Sequence, residues 1–250
     1  MAAREVSKGI WMSVNFMISR LVDDALEALL PSHCLLCGAH GQGALSLCPA
    51  CEADMPRNAM CCARCALPLE SPAPLCGRCI KHAPPWDAAW APFRYEWPLA
   101  QLEARFKFGG DLAAGRTLSL LWSASRAPAA MPGAILPVPL HDSRLRRRGY
   151  NQALELARPL AKHFRVPVLR DALHRTRATH AQTELSAIQR RRNVRGAFAA
   201  NLDGRAPQHV AVLDDVSTTG ATLAECARVL KRAGVQRVDV WALARAPRNH

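Results

Sequence analysis

Eight of the ten cysteines fall into two copies of one spacing. Cys34, Cys37, Cys48 and Cys51 form CxxC, ten residues and CxxC; Cys62, Cys65, Cys76 and Cys79 repeat that pattern, each position shifted by 28. A CxxC turns two thiolates towards one ion, and two such knuckles complete the tetrahedral four-cysteine shell that leaves zinc no open coordination position. Two structural Zn2+ ions are therefore expected, with a folding role and no chemistry. The spacing leaves interleaved pairing of the knuckles open. Cys61 could replace Cys62 as a ligand, but only Cys62 keeps the 28-residue offset. The segment from His33 to Pro85 has too few apolar residues to bury a core without a metal or a crosslink.

Ten cysteines would suggest disulfides in a secreted chain. Here the apolar residues near the start are interrupted by Arg20, Asp23, Asp24 and Glu27, which is unlike a secretory signal, so a reducing, cytoplasmic setting is expected. No uncharged apolar run reaches the roughly 18 to 20 residues of a membrane span. Three segments follow: an amphipathic helix within 1–32 (residues 14 to 30), a double zinc ribbon over 33–85, and a larger domain over 86–250.

In that larger domain apolar runs alternate with helical patterns. Strands are expected at 134–138, 166–169, 210–213 and 238–244, and helices at 112–122, 150–163 and 222–233; such alternation means a parallel sheet. Cys226 shares a helical face with Leu223, Ala227 and Leu230 and reads as core. Charge is concentrated too. The chain has 33 Lys and Arg against 20 Asp and Glu, a net of +13, and residues 141 to 195 alone hold 14 against 4. A local basic surface favours a polyanionic partner.

Residues 210 to 223, VAVLDDVSTTGATL, run from an aliphatic strand through two acids and a small-residue turn into a helix. Such a turn aligns backbone N–H groups with a helix N-terminus, which suits a phosphate. Gly220 permits close backbone approach, and Ser217, Thr218, Thr219 and Thr222 offer hydroxyl donors. Asp214 and Asp215 suit the hydroxyls of a ribose, or magnesium held through water. The competing reading makes Thr219 or Thr222 a plain N-cap. A P-loop is excluded because Gly-x4-Gly-Lys-Ser/Thr is absent, and no GxGxxG follows a strand.

The acidic pair and TTGAT resemble the phosphoribosyl-pyrophosphate (PRPP) motif of type I phosphoribosyltransferases. With the cysteine knuckles, FRYEWPLAQLEARFKFGGD (93–111), PVPLHDSRLRRRGYNQALELA (137–157) and RTRATHAQTELSAIQRRRNVRGAF (175–198), the chain resembles the ComF family of competence-associated, phosphoribosyltransferase-like proteins from Cys34 onward. The resemblance implies an α/β type I phosphoribosyltransferase fold behind the zinc ribbon, with PRPP and Mg2+ as ligands. It implies that Asp214 and Asp215 contact the ribose hydroxyls and that Thr218, Thr219, Gly220, Ala221 and Thr222 hold the 5-phosphate, with Ser217 also among the PRPP-binding residues. Pro137 to His141 would be the pyrophosphate-side loop. Arg147 and Arg148, in a basic turn continuing through Gly149, Tyr150, Asn151 and Gln152, would contact pyrophosphate or DNA phosphates. So would Arg175, Arg177 and Arg190, in a flexible basic segment with Thr179, Gln182 and Asn193.

Two functions compete on this basis. The first is a PRPP-binding protein that assists uptake or handling of single-stranded DNA in natural transformation, with DNA-uptake or recombination proteins as partners. Tyr150 and Phe164 would then be the aromatics available to stack a base. The second is an active phosphoribosyltransferase with a small-molecule acceptor, in which arginines stabilise departing pyrophosphate. The few residues after the last strand argue against ordinary nucleobase transfer. No general base is evident, since His141, His163, His174 and His180 read as surface or packing residues. A third reading makes the zinc domain a protein-docking module.

Overall fold

The computed structural model describes residues 33–177, 187–202 and 207–247. The helix expected over 14 to 30, together with Thr179 and Gln182, lies outside the described residues. The chain divides into two compact units after Ala53. The division falls inside the cysteine-rich segment expected as one domain, and it assigns one four-cysteine group to each unit.

In the first unit, Cys34 N–H donates to Ala39 O (2.7 Å) and Gly38 N–H to Cys34 O (2.9 Å), closing a knuckle in which Gly38 takes a left-handed φ of 77°. A 3-10 turn (Gly43–Leu45) and helix α1 (Pro49–Ala53) carry the chain to the second pair of cysteines.

The second unit opens on the other cysteine group, which includes helix α2 (Gly77–Lys81). Its knuckle repeats the first: Ala66 N–H donates to Cys62 O (2.8 Å) and Cys62 N–H to Leu67 O (2.9 Å). A four-cysteine site has little core of its own, and this one leans on the sheet. Buried Asn58 donates from Nδ2 to Ala66 O and Ala91 O, both at 2.9 Å.

The central sheet is parallel throughout, in the order β1 (Ala88–Trp90), β7 (Arg237–Arg245), β6 (His209–Ser217), β3 (Ala134–Pro137), with β2 (Phe93–Arg94) continuing the edge of β7 beyond β1. β6 and β7 are buried along nearly their whole length, as strands covered on both faces must be. Helices α3 (Leu99–Gly109), α4 (Leu112–Ser123), α5 (Asp142–Arg148), α6 (Gln152–Phe164), α7 (Ala187–Val194) and α8 (Ala221–Arg232) complete the unit. A small antiparallel ribbon pairs β4 (Leu173–Arg175) with β5 (Phe198–Ala200). The strand expected at 166–169 is reduced to one bridge, Ile135 with Val168. Its alternation with Pro167 removes the backbone donor that a longer ladder needs. Among the described residues no helix is long and apolar enough to cross a membrane.

Helix ends fix the turns that matter. α3 stops at Gly110 in left-handed conformation (φ 67°), and Asp111 caps α4 by accepting from Ala114 N–H (3.0 Å) while gripping Arg105 (2.7 Å). Asn151 caps α6 through Oδ1 and donates from Nδ2 to Val138 O (3.1 Å), so the helix start is tied to the end of β3. Phe164, expected as a base-stacking platform, belongs instead to an edge-packed aromatic cluster, 5.7 Å from Trp241 and 5.9 Å from Trp90. Tyr150 lies 5.4 Å from the Phe106 ring, and its hydroxyl donates to Phe106 O.

Candidate functional site

The cysteines converge as two sequential groups, Cys34, Cys37, Cys48 and Cys51, then Cys62, Cys65, Cys76 and Cys79; in each, all four sulfurs lie within 4.8 Å of one another. Interleaved pairing is thereby removed, and Cys61 is outside both groups. A tetrahedron with Zn–S bonds of about 2.3 Å has S···S edges of about 3.8 Å. The Cys37–Cys48 and Cys65–Cys76 sulfur separations, 3.6 and 3.7 Å, fit that cage. Without the ion's charge the first cage splits its thiols, with Cys34 lowered and Cys37 and Cys51 raised. Burial opposes ionisation of Cys34, but backbone N–H bonds from Cys37 and Cys48 bring its thiol down to about 6. Elemental analysis of protein purified without chelator is expected to give two zinc ions per chain; a value near zero would refute the metal assignment.

At the carboxyl ends of β3 and β6 lies a cavity of about 320 Å³, where ligands bind in open parallel sheets. Asp214, Asp215, Thr218 and Thr222 line it together with Arg147, Arg148 and Arg175. Arg177 turns away and donates to Asn193 O (3.1 Å) and Arg195 O (3.0 Å), bracing the basic segment. Arg190 lies on α7, and its side chain is outside the described set.

Three residues that sequence reasoning did not assign also line the cavity: Tyr95, Glu103 and Lys107. Lys107 Nζ reaches Asp215 Oδ2 at 2.9 Å and Glu103 Oε1 at 3.0 Å, and Tyr95 donates to Glu103 Oε2 at 3.0 Å. The two aspartates are thereby separated in role. Burial disfavours charge on Asp215, yet the Lys107 ammonium beside it holds its carboxyl below the ordinary range. Burial, then the neighbouring Asp215 charge, push Asp214 upward to about 8. Asp215 is engaged; Asp214 is the carboxyl poised to gain a hydrogen-bonding ligand. A visible signal for Lys107 was its place four residues after Glu103, on one helix face. Arg144 also lines the cavity, and burial followed by the Arg148 and Arg147 charges holds it below its ordinary value. Such crowding of cations is relieved by an anion.

The phosphate loop has two faces. Thr218 and Thr222 line the smaller cavity, whereas Ser217, Thr219, Gly220 and Ala221 line a second one of about 790 Å³. Gly220 has a left-handed φ of 71°, and a Cβ there would meet the Trp86 ring at 2.9 Å. The close approach that requires glycine is thus to tryptophan. Thr219 Oγ1 accepts from Ala221 N–H (3.3 Å), but the N-cap of α8 is Gly220, so neither Thr219 nor Thr222 holds the cap position.

Paired four-cysteine groups and a parallel sheet flanked by helices define a double zinc ribbon followed by an α/β protein. The double zinc ribbon domain family matches residues 25–80. Competence protein F of Haemophilus influenzae is 38% identical over 208 residues, covering 80% of this chain and 90% of that protein. The DNA utilization protein YhgH of Escherichia coli K12 is 34% identical over 223 residues, covering 86% and 98%; that of Salmonella typhimurium is 36% identical over 205, covering 80% and 90%. The chain belongs to the ComF family.

Proposed function

We propose that the smaller cavity binds PRPP or a related ribose phosphate with magnesium, and that the protein serves the handling of single-stranded DNA in competence or DNA utilization. The observation that carries the ligand is the juxtaposition of Asp214 with Thr218, Thr222 and an arginine wall in one 320 Å³ cavity. A ribose with two hydroxyls, a 5-phosphate and a diphosphate presents those complements in one small molecule: diol to carboxylate, phosphate to threonines and helix start, diphosphate to arginine. The DNA role is supported by the names of the relatives, competence protein F and DNA utilization protein. Magnesium would be held by Asp214 and by the diphosphate itself. DNA-uptake or recombination proteins remain the partner class that this reading implies.

Calorimetric titration with PRPP and magnesium tests the ligand. Binding in the micromolar range is expected, with loss in Asp214→Asn. The sign of the pH dependence follows from the raised Asp214 carboxyl. Below about 8 it is largely protonated in the free protein, and a ligand that prefers the carboxylate must release a proton. Affinity should rise as pH climbs from 6 to 8, with proton release visible as a buffer-dependent enthalpy. A folded protein that gives no heat with PRPP would sink the reading.

A further inference from the structure

On the far side of the phosphate loop, the 790 Å³ cavity is walled by the second cysteine group and its continuation to Trp86, by α8, and by the segment Arg192–Gly196. Among the described residues six arginines line it, Arg78, Arg192, Arg195, Arg228, Arg232 and Arg245, against one carboxylate, Glu225. Glu225 is already used: it accepts from Gly196 N–H (2.9 Å) and from Arg228 (2.7 Å). Arg245 is buried and spends its donors on backbone carbonyls. Arg78, Arg192, Arg195 and Arg232 are exposed and have no ion pair among the described residues. A zinc ion held by four thiolates carries a net −2, and Cys65, Cys76 and Cys79 of that shell line the same cavity; the six arginines still outnumber this charge and Glu225 together, and the excess concentrates anions.

The cavity has more than twice the volume of the ribose phosphate site, and its cations come from three separate stretches of chain, so its ligand is extended. Pro84, Pro85 and Trp86 supply an apolar wall. We propose that this cavity is a second anion site, which holds the phosphate backbone of a nucleic-acid single strand. The identity of the strand rests on the DNA reading above; the anion site rests on the cavity alone. The two sites share one loop, with Thr218 and Thr222 facing one and Ser217, Thr219 and Ala221 the other.

Fluorescence anisotropy with a labelled oligothymidylate of about 20 nucleotides tests it. The probe is titrated between about 50 and 200 mM salt against the full chain and a variant carrying Arg78→Ala, Arg192→Ala, Arg195→Ala and Arg232→Ala. Each lost phosphate contact lowers the log–log salt slope by about 0.7 for single strands, so the fourfold variant should lose about 3 from the slope. Affinity at low salt should fall on the order of 100-fold or more. The fourfold lysine variant should recover the slope, and PRPP affinity should be unchanged in both. An unchanged slope in the alanine variant overturns the proposal while leaving the DNA reading standing, and a lysine variant that recovers nothing also overturns it. Failure of the unmodified chain to bind oligothymidylate overturns both. Binding of tripolyphosphate instead, lost in the alanine variant, would replace the strand by a free polyphosphate.

Discussion

Removing the metal from the second cysteine group, by Cys76→Ser with Cys79→Ser, is expected to abolish ligand binding in the 320 Å³ cavity, although no cysteine lines it. The route is short. Arg245 donates from Nε to Cys65 O (3.2 Å) and from Nη1 to Ser217 O (2.8 Å) and to Thr218 O, so one guanidinium joins the zinc knuckle to the phosphate loop. Trp86 makes a second link, donating to Arg64 O (2.6 Å) while its ring lies against Gly220. Structural zinc contributes an apparent 10 to 16 kcal/mol, about as much as a whole domain's stability, so the knuckle will not persist without it. Calorimetry with PRPP and magnesium measures the loss, and circular dichroism separates local from global unfolding. Cys34→Ser with Cys37→Ser removes the metal of the other compact unit and should leave PRPP affinity unchanged. Equal loss in both variants would mean general instability. Arg245→Met should reproduce the Cys76/Cys79 result with two zinc ions still bound.

That link explains which parts of the molecule were legible beforehand. Metal knuckles are local: CxxC fixes its own geometry, so ligand identity could be read from spacing alone, whereas the pairing needed coordinates. β6 and β7 announce themselves because burial on both faces demands continuous aliphatics. Asp214, Thr218 and Thr222 were legible as a strand–turn–helix, but the division of the loop into two faces was not, since it is set by Trp86, 134 residues before Gly220. Arg245 was invisible for the opposite reason. It ends a strand as an ordinary solvent-facing arginine would, yet it is 6% exposed and bonded to carbonyls from three segments. Phe164 misled because aromatic content near arginines carries no direction; tertiary packing turned it inward.

Lys107→Met is expected to destabilise the protein by about 3–5 kcal/mol near neutral pH, the usual cost of removing one partner from a buried charge group. The ammonium lies between two carboxylates whose side chains are only 1% and 11% exposed, Glu103 and Asp215. Burial would lower the lysine, but the Asp215 and then the Glu103 charges raise it above its ordinary 10.5. Its stabilisation is therefore fully present below 10.5 and lost as pH rises through the raised value. Asp215, held low by the same contact, contributes above its ordinary 3.8 and loses that contribution as pH falls through the lowered value. Glu103 works the other way: burial and then the Asp215 charge raise it, so the folded state favours its protonated form. The variant should accordingly be hurt most between the carboxylate range and 10.5, and the penalty should shrink as acid neutralises both carboxyls. Denaturant unfolding at a series of pH values measures this window. Adding Glu103→Gln and Asp215→Asn to Lys107→Met removes the stranded charges and should recover most of the loss, a coupling that a simple packing defect would not produce. A cost independent of pH, undiminished in the triple variant, would show that the lysine acts through its methylenes rather than its charge.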